Sequence, residues 1–131
     1  MARLILDTSI LVNLERRGDT LERLIDDEDD VAVAAITAAE LLVGVELARG
    51  RKRTRRQEQV DGLLKLVSVE SYDLEVAKSH ASLLAWVRRQ GRPRGAHDLI
   101  IAATAAARSR HVVTTDESAF VDLPGVSLRG P

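Results

Sequence analysis

The chain has 131 residues, a formal net charge of −1 and no cysteine. That length fits one domain, 1–131, with its own core, and the missing thiols exclude disulfides, thiolate zinc sites and cysteine nucleophiles. Near-neutral charge argues against a general nucleic-acid coat, and with Trp86, Tyr72 and Phe120 the only aromatics, so does the lack of a base-stacking platform.

From the N-terminus, Arg3-Leu4-Ile5-Leu6 is a short apolar run ended by Asp7-Thr8-Ser9. It reads as a strand buried on both faces. It is too short for the core of a signal peptide, and no later apolar stretch approaches the ~18 residues of a membrane span, so a cytoplasmic protein with no membrane contact is expected. A helix carrying Ile10, Leu11, Val12 and Leu14 follows, then a second short helix over Thr20–Ile25 and an acidic loop, Asp26 to Asp30. Val31–Ile36 is a second strand, with Thr37 capping a helix through Ala48. The basic stretch Arg49 to Arg56 reads as a turn and the start of a further helix reaching Leu64, and Leu66–Val69 as a third strand. Leu74–Gln90 has apolar residues at helical spacing, and Gly91 and Pro93 stop it. His97–Ala107 is apolar nearly all round and reads as a central helix. His111–Thr115 is a fourth strand and Val126–Leu128 a fifth.

Strands alternating with helices predict an α/β domain. It should be a three-layer α/β/α fold around a mainly parallel sheet of four to five strands. In such sheets the site lies beyond the carboxyl ends of the strands, at a topological switch point. Asp7 follows the first strand and Asp116 the fourth. Glu40 comes soon after the second, in the first turn of its helix, and Asp98 opens the central helix. Singly, each has a plain alternative: Asp7 or Asp116 as a helix cap, Asp98 as a favourable charge at a helix start. Glu40 is harder to explain that way, because it interrupts an apolar segment with no Lys or Arg within one turn. Together, four acids on one rim repel unless something cationic sits between them. An all-oxygen cluster suits Mg²⁺ or Mn²⁺, and such ions act on phosphate groups.

Leu6-Asp7-Thr8-Ser9, Thr37-Ala38-Ala39-Glu40-Leu41 with Gly44, His97-Asp98-Leu99-Ile100-Ile101-Ala102-Ala103, and Thr114-Thr115-Asp116 with Phe120 resemble the successive motifs of PIN-domain ribonucleases. The likeness is greatest to the VapC toxins of bacterial type II toxin–antitoxin modules, and it spans the whole chain. The resemblance implies a PIN-like fold and a divalent-metal-dependent endoribonuclease. Asp7, Glu40, Asp98 and Asp116 would be its catalytic acids, holding Mg²⁺ or Mn²⁺ directly or through water. Ser9 and Thr114 would support them. Thr115 stands where many relatives carry Asn. The implied partners are an RNA substrate, a VapB-type antitoxin and a second copy of the chain, in a homodimer and a toxin–antitoxin hetero-oligomer. The apolar helices around Leu21–Ile25 and Leu41–Leu47 could present the antitoxin's groove.

Arg92 and Arg94, in the loop before Asp98, and Arg51 and Arg55, in the basic stretch, could contact RNA phosphates. His97 need not share the site with Asp98, since consecutive helical residues point in different directions; His80 and His111 read as structural or exposed. Two rival readings fit the residues less well. A PIN-like module that binds RNA or protein without cutting would have no use for four costly acids. A metal-dependent phosphotransfer enzyme of the haloacid-dehalogenase type would need an Asp where Ser9 stands.

Overall fold

The structure, a computed structural model, describes residues 1–129. Its strands are β1 (Arg3–Leu6), β2 (Asp30–Ala34), β3 (Ser68–Glu70), β4 (His111–Val113) and β5 (Ser127–Arg129). They form a single sheet in the order β3-β2-β1-β4-β5, with every neighbouring pair parallel. The helices are α1 (Thr8–Arg17), α2 (Ala35–Leu47), α3 (Gly50–Leu66), α4 (Leu74–Gln90) and α5 (Ala96–Arg108). The expected three-layer architecture is present, and the sheet is wholly parallel.

Strand alternation explains both the layers and the unbroken apolar runs. Ile5 and Val112, opposite each other on β1 and β4, pack into a core with α4 and α5 residues such as Val76, Leu83, Leu99 and Ala102. Their neighbours Leu4, Leu6, Val31, Val33 and Val113 point the other way, into a second core with Ile10, Leu11 and Leu21. A strand covered on both faces has no solvent side on which to place polar residues. Helix α5 lies deepest, with Leu99 and Ile101 through Ala105 all buried.

Several boundaries differ from the sequence reading. Helix α2 starts at Ala35, so Thr37 is a fully buried residue inside it and Ala34 takes the cap position. The strand before it ends at Ala34 because pairing with β3 stops at Ala34–Glu70, and Ile36 already packs against the α5-side core. Glu40 therefore stands in the second helical turn. The segment around Leu21–Ile25 closes only one 3-10 turn, Leu21–Arg23. The basic stretch is helical from Gly50 onward, and the third strand starts two residues late, at Ser68. Helix α4 has the expected bounds. Asp73 caps it by accepting from the Val76 amide at 3.1 Å, and Gly91 ends it in the left-handed conformation at φ 69°.

The basic residues nearest the sheet are matched with acids. Arg110, nearly buried, donates to the carbonyls of Leu4 and Asp30 and to the Asp30 carboxylate at 3.1 Å. Arg108 lies 3.0 Å from Glu70 and also binds Asp73.

Phe120 follows a 3-10 turn over Glu117–Ala119 and is 1% exposed in the α4–α5 core. It pins the polypeptide that leaves β4. Phe120→Ala is expected to cost about 3–5 kcal/mol of stability through the cavity it leaves, read by denaturant titration; a loss under about 1 kcal/mol would mean that this anchor is not packed as described.

Candidate active site

The strand order reverses between β1 and β4: from β1 the chain moves to β2 on one side and later returns to β4 on the other. A crevice forms where the loops beyond two such strands diverge. Asp7 stands directly in it. Its amide continues the ladder by donating to the Val113 carbonyl at 2.9 Å. This bond holds Asp7 at the end of β1, beside the loop after β4.

Asp7 is 4% exposed, and no basic side chain among the described residues forms an ion pair with it. Its Oδ2 accepts two hydroxyl hydrogen bonds, from Ser9 and from Thr114, each at 2.8 Å. The two hydroxyls lie 3.3 Å apart and extend the bonding to the next loop. Ser9 Oγ accepts from the Thr115 amide at 3.2 Å, and Thr114 Oγ1 from the Asp116 amide at 2.9 Å. Ser9 and Thr114 thus tie Asp7 to the loop after β4 by hydrogen bonds. Thr115 takes part through its backbone, with its side chain exposed. Asp116, at the exposed end of this loop, accepts from Ser118 Oγ at 2.6 Å. Neither Asp7 nor Asp116 caps the helix after it with its side chain.

Asp98 projects from the first turn of α5. Partial burial pushes its carboxyl above the usual carboxylate range. The negative charges of Asp7, Asp116 and Glu40 push it further the same way, and His97 opposes them. Asp98 therefore lies close enough to the other three acids to feel their charge. Gly95, which precedes α5, is part of this geometry: a Cβ there would lie 2.8 Å from Asp98 Oδ2, so the carboxyl occupies space that any other residue type would take.

Glu40 completes the set. Its Oε1 accepts from Thr8 Oγ1 at 3.3 Å and lies 3.4 Å from His97 Nδ1. His97 thus reaches the rim of the cleft through Glu40, which one-turn helical geometry around Asp98 does not reveal. His80 is engaged with the Tyr72 hydroxyl at 2.8 Å, and His111 is exposed.

Among the described residues, no arginine or lysine forms an ion pair with any of the four acids. Nor do three acidic or histidine side chains there form a ready-made metal cluster. These two facts are compatible. Mg²⁺ typically takes one or two carboxylates and fills its remaining positions with water and substrate oxygens. A half-buried, charge-repelled set of oxygen donors fits such an ion.

The arginines expected to contact RNA separate into two groups. Arg92, Arg51 and Arg55 are exposed. Arg94 is engaged by its own chain: Nη1 donates to the Ser118 carbonyl at 3.1 Å and Nη2 to the Val121 carbonyl at 3.0 Å.

Beside the acids opens a groove of about 530 Å³, lined by Thr8, Leu11, Leu14, Leu21, Leu41, Gly44, Arg56, Val60 and Leu63 among others. Leu21 and Leu41 line it as expected, whereas Leu42, Val43 and Leu47 face outward on the exposed side of α2. Arg56 bridges α3 to α2 by donating to the Gly44 carbonyl at 3.2 Å.

Asp7, Glu40, Asp98 and Asp116 thus stand near the switch point of an all-parallel three-layer domain. The family model for the PIN domain matches residues 4–125. The chain belongs to the PIN-domain family, among the VapC ribonucleases. A relative from Sinorhizobium fredii, VapC ribonuclease Y4jK, is 32% identical over 136 residues, covering 98% of this chain and 96% of its own. Ribonuclease VapC5 of Mycobacterium tuberculosis is 33% identical over 124 residues, covering 94% and 89%. Among solved structures, the VapBC-5 toxin–antitoxin protein of that organism is similar with a TM-score of 0.80 at 28% identity, over 100% of both chains. DNA-bound VapBC from Salmonella typhimurium has a TM-score of 0.87 at 25% identity, over 99% of this chain and 98% of the other.

The Asp98 environment has a consequence for stability. An acid whose pKa is raised on folding ionises first in the unfolded chain. Stability is therefore lost as pH rises above the ordinary value of 3.8, and the full penalty is present above the raised folded value. Asp98→Asn is expected to make the metal-free protein more stable at pH 7, with the gain shrinking as pH falls toward 3.8. Denaturant midpoints across that pH range test this; an Asn variant less stable than its parent at pH 7 would contradict it.

Proposed function

We propose that the chain is a divalent-metal-dependent endoribonuclease and the toxin of a VapBC-type pair, working in the cytoplasm. The observation that carries this reading is the proximity of Asp7, Glu40 and Asp116 to Asp98 near the switch point, with no arginine or lysine paired to any of them among the described residues. Buried or half-buried carboxylates elsewhere in this fold, such as Glu70 with Arg108 and Arg110, do have one.

Asp7 and Asp98 would hold Mg²⁺ or Mn²⁺, with Asp116 and Glu40 binding directly or through water. When bound, such an ion eases the ionisation of water near neutral pH and offsets charge building on a phosphodiester. The chain's own residues do the rest. Ser9 and Thr114 fix the Asp7 carboxyl in one rotamer, so its negative charge is aimed before any substrate arrives. The carboxylates around the ion could also accept the proton lost by a water activated there. Arg92, Arg51 and Arg55 lead the RNA backbone toward the acids.

The partner reading rests on the groove. It is mostly apolar, and Thr8 and Glu40 belong both to its lining and to the site. An antitoxin segment seated among Leu11, Leu14, Leu21, Leu41, Val60 and Leu63 would end against the acids and block them. VapBC complexes are known for the similar proteins from Salmonella typhimurium and Mycobacterium tuberculosis. A homodimer of this chain, within a toxin–antitoxin hetero-oligomer, belongs to the same proposal.

Asp7→Asn and Asp98→Asn are expected to lower Mg²⁺-dependent cleavage of RNA by at least about 100-fold while leaving the circular dichroism spectrum unchanged. Folded variants that cut at the parent rate would overturn the assignment. Mn²⁺ titration calorimetry on the parent separates the enzyme from an RNA- or protein-binding module: absence of binding would favour the module.

A further inference from the structure

Arg94 is separated from Ser118 and Val121 by more than twenty residues, yet its guanidinium joins both carbonyls at once, at 3.1 and 3.0 Å. One carbonyl lies within the 3-10 turn that follows Asp116, and the other one residue past the Phe120 anchor. Within the same turn, Ser118 Oγ donates to the Asp116 carboxylate at 2.6 Å. Arg94 itself sits next to Gly95, whose missing Cβ leaves the space filled by Asp98 Oδ2. The loop before α5 therefore touches both sides of the cleft. Through Arg94 it holds the segment carrying Asp116, and through Gly95 it accommodates Asp98.

Asp116 needs such a device more than its partners do. Asp7 is set by the ladder of β1 and by two hydroxyls. Asp98 rises from a buried helix. Asp116 is exposed and lies on irregular backbone, with φ −117° and ψ 79°. Its local ties are the hydrogen bond from its amide to Thr114 Oγ1, that from the Ala119 amide to its carbonyl, and that from the Ser118 hydroxyl to its carboxylate. A planar guanidinium binding two carbonyls in a fixed fork is a stiff clamp for such a turn.

We propose that Arg94 is a positioning residue that registers the Asp116 carboxyl against Asp98 across the cleft, and does not serve chiefly as a contact for RNA phosphate. The inference deepens the nuclease reading and rests on it for its functional consequence, but the clamp itself is testable without substrate or metal.

The test uses the purified full chain with Arg94→Ala, Arg94→Lys, Ser118→Ala and Arg92→Ala. In metal-free protein, Arg94→Ala should speed hydrogen exchange at amides of residues 116–121 by about tenfold or more, while amides of β1 and α5 stay protected. Unchanged exchange in that segment would overturn the clamp whatever the activity. In the nuclease assay, Arg94→Ala should lower kcat by about 10- to 100-fold with little change in KM for RNA, and should weaken Mn²⁺ binding measured by calorimetry. Ser118→Ala should reproduce part of both losses. RNA binding by Arg94→Ala in EDTA should keep the parent's salt dependence. A fall of about one unit in that slope, with Mn²⁺ affinity intact, would make Arg94 a phosphate contact and overturn the proposal. Arg92→Ala calibrates what losing a phosphate contact looks like. If Arg94→Ala folds poorly, Arg94→Lys gives the same readout, since a single ammonium cannot span both carbonyls in the guanidinium's geometry. A parent chain that neither binds Mn²⁺ nor cuts RNA would refute the proposed function, while the exchange experiment would still decide the clamp.

Discussion

Four carboxylates brought near one another, with no arginine or lysine among the described residues paired to them, are the constraint on which the rest of this structure depends. Like charges at close quarters raise one another's proton affinity, and partial burial adds to the effect. The folded chain therefore carries a cost at Asp98 that vanishes only by protonation, by substitution or by an ion between the acids. The surrounding architecture tolerates that cost. Two apolar cores, one on each face of the sheet, supply the stability against which the acids are held.

The contrast within the molecule is informative. Where carboxylates serve the fold, arginines meet them: Arg110 and Arg108 bind Asp30, Glu70 and Asp73. At the cleft, hydroxyls and backbone amides do the holding, through Ser9, Thr114 and Ser118. A hydroxyl orients a carboxylate without cancelling its charge. An arginine would orient it equally well but would neutralise the field that attracts a cation. The same principle accounts for Arg94, which reaches the Asp116 segment through carbonyls and leaves the carboxylate itself unpaired.

The groove and the cleft share two residues, Thr8 and Glu40. This continuity matters for control. An occupant bound for its apolar contacts along α1, α2 and α3 would lie against the acids without needing affinity for them. For the proposed antitoxin, binding energy and inhibition would thus be separable: the former from burying leucine and valine side chains, the latter from proximity to Glu40.

Residue order by itself determined the alternation of strands and helices, the parallel three-layer class and the bounds of α4, and it placed four acids at or just beyond the ends of strands and at the start of α5. These features are local. Strand ends, helix periodicity and glycine stops are set by neighbouring residues, and the switch-point rule converts a strand's end into a place on one rim. Tertiary structure alone decided the partners. Glu40 moved to the second turn because β3 stops pairing at Ala34. His97 came to Glu40, and Arg94 turned from the solvent to carbonyls more than twenty residues away. Arg110, one more arginine in the sequence, became a buried link between β1 and β2. Long polar side chains have several rotamers and many possible acceptors. Their choice depends on which distant backbone groups the fold leaves unsatisfied nearby, and no local pattern encodes that.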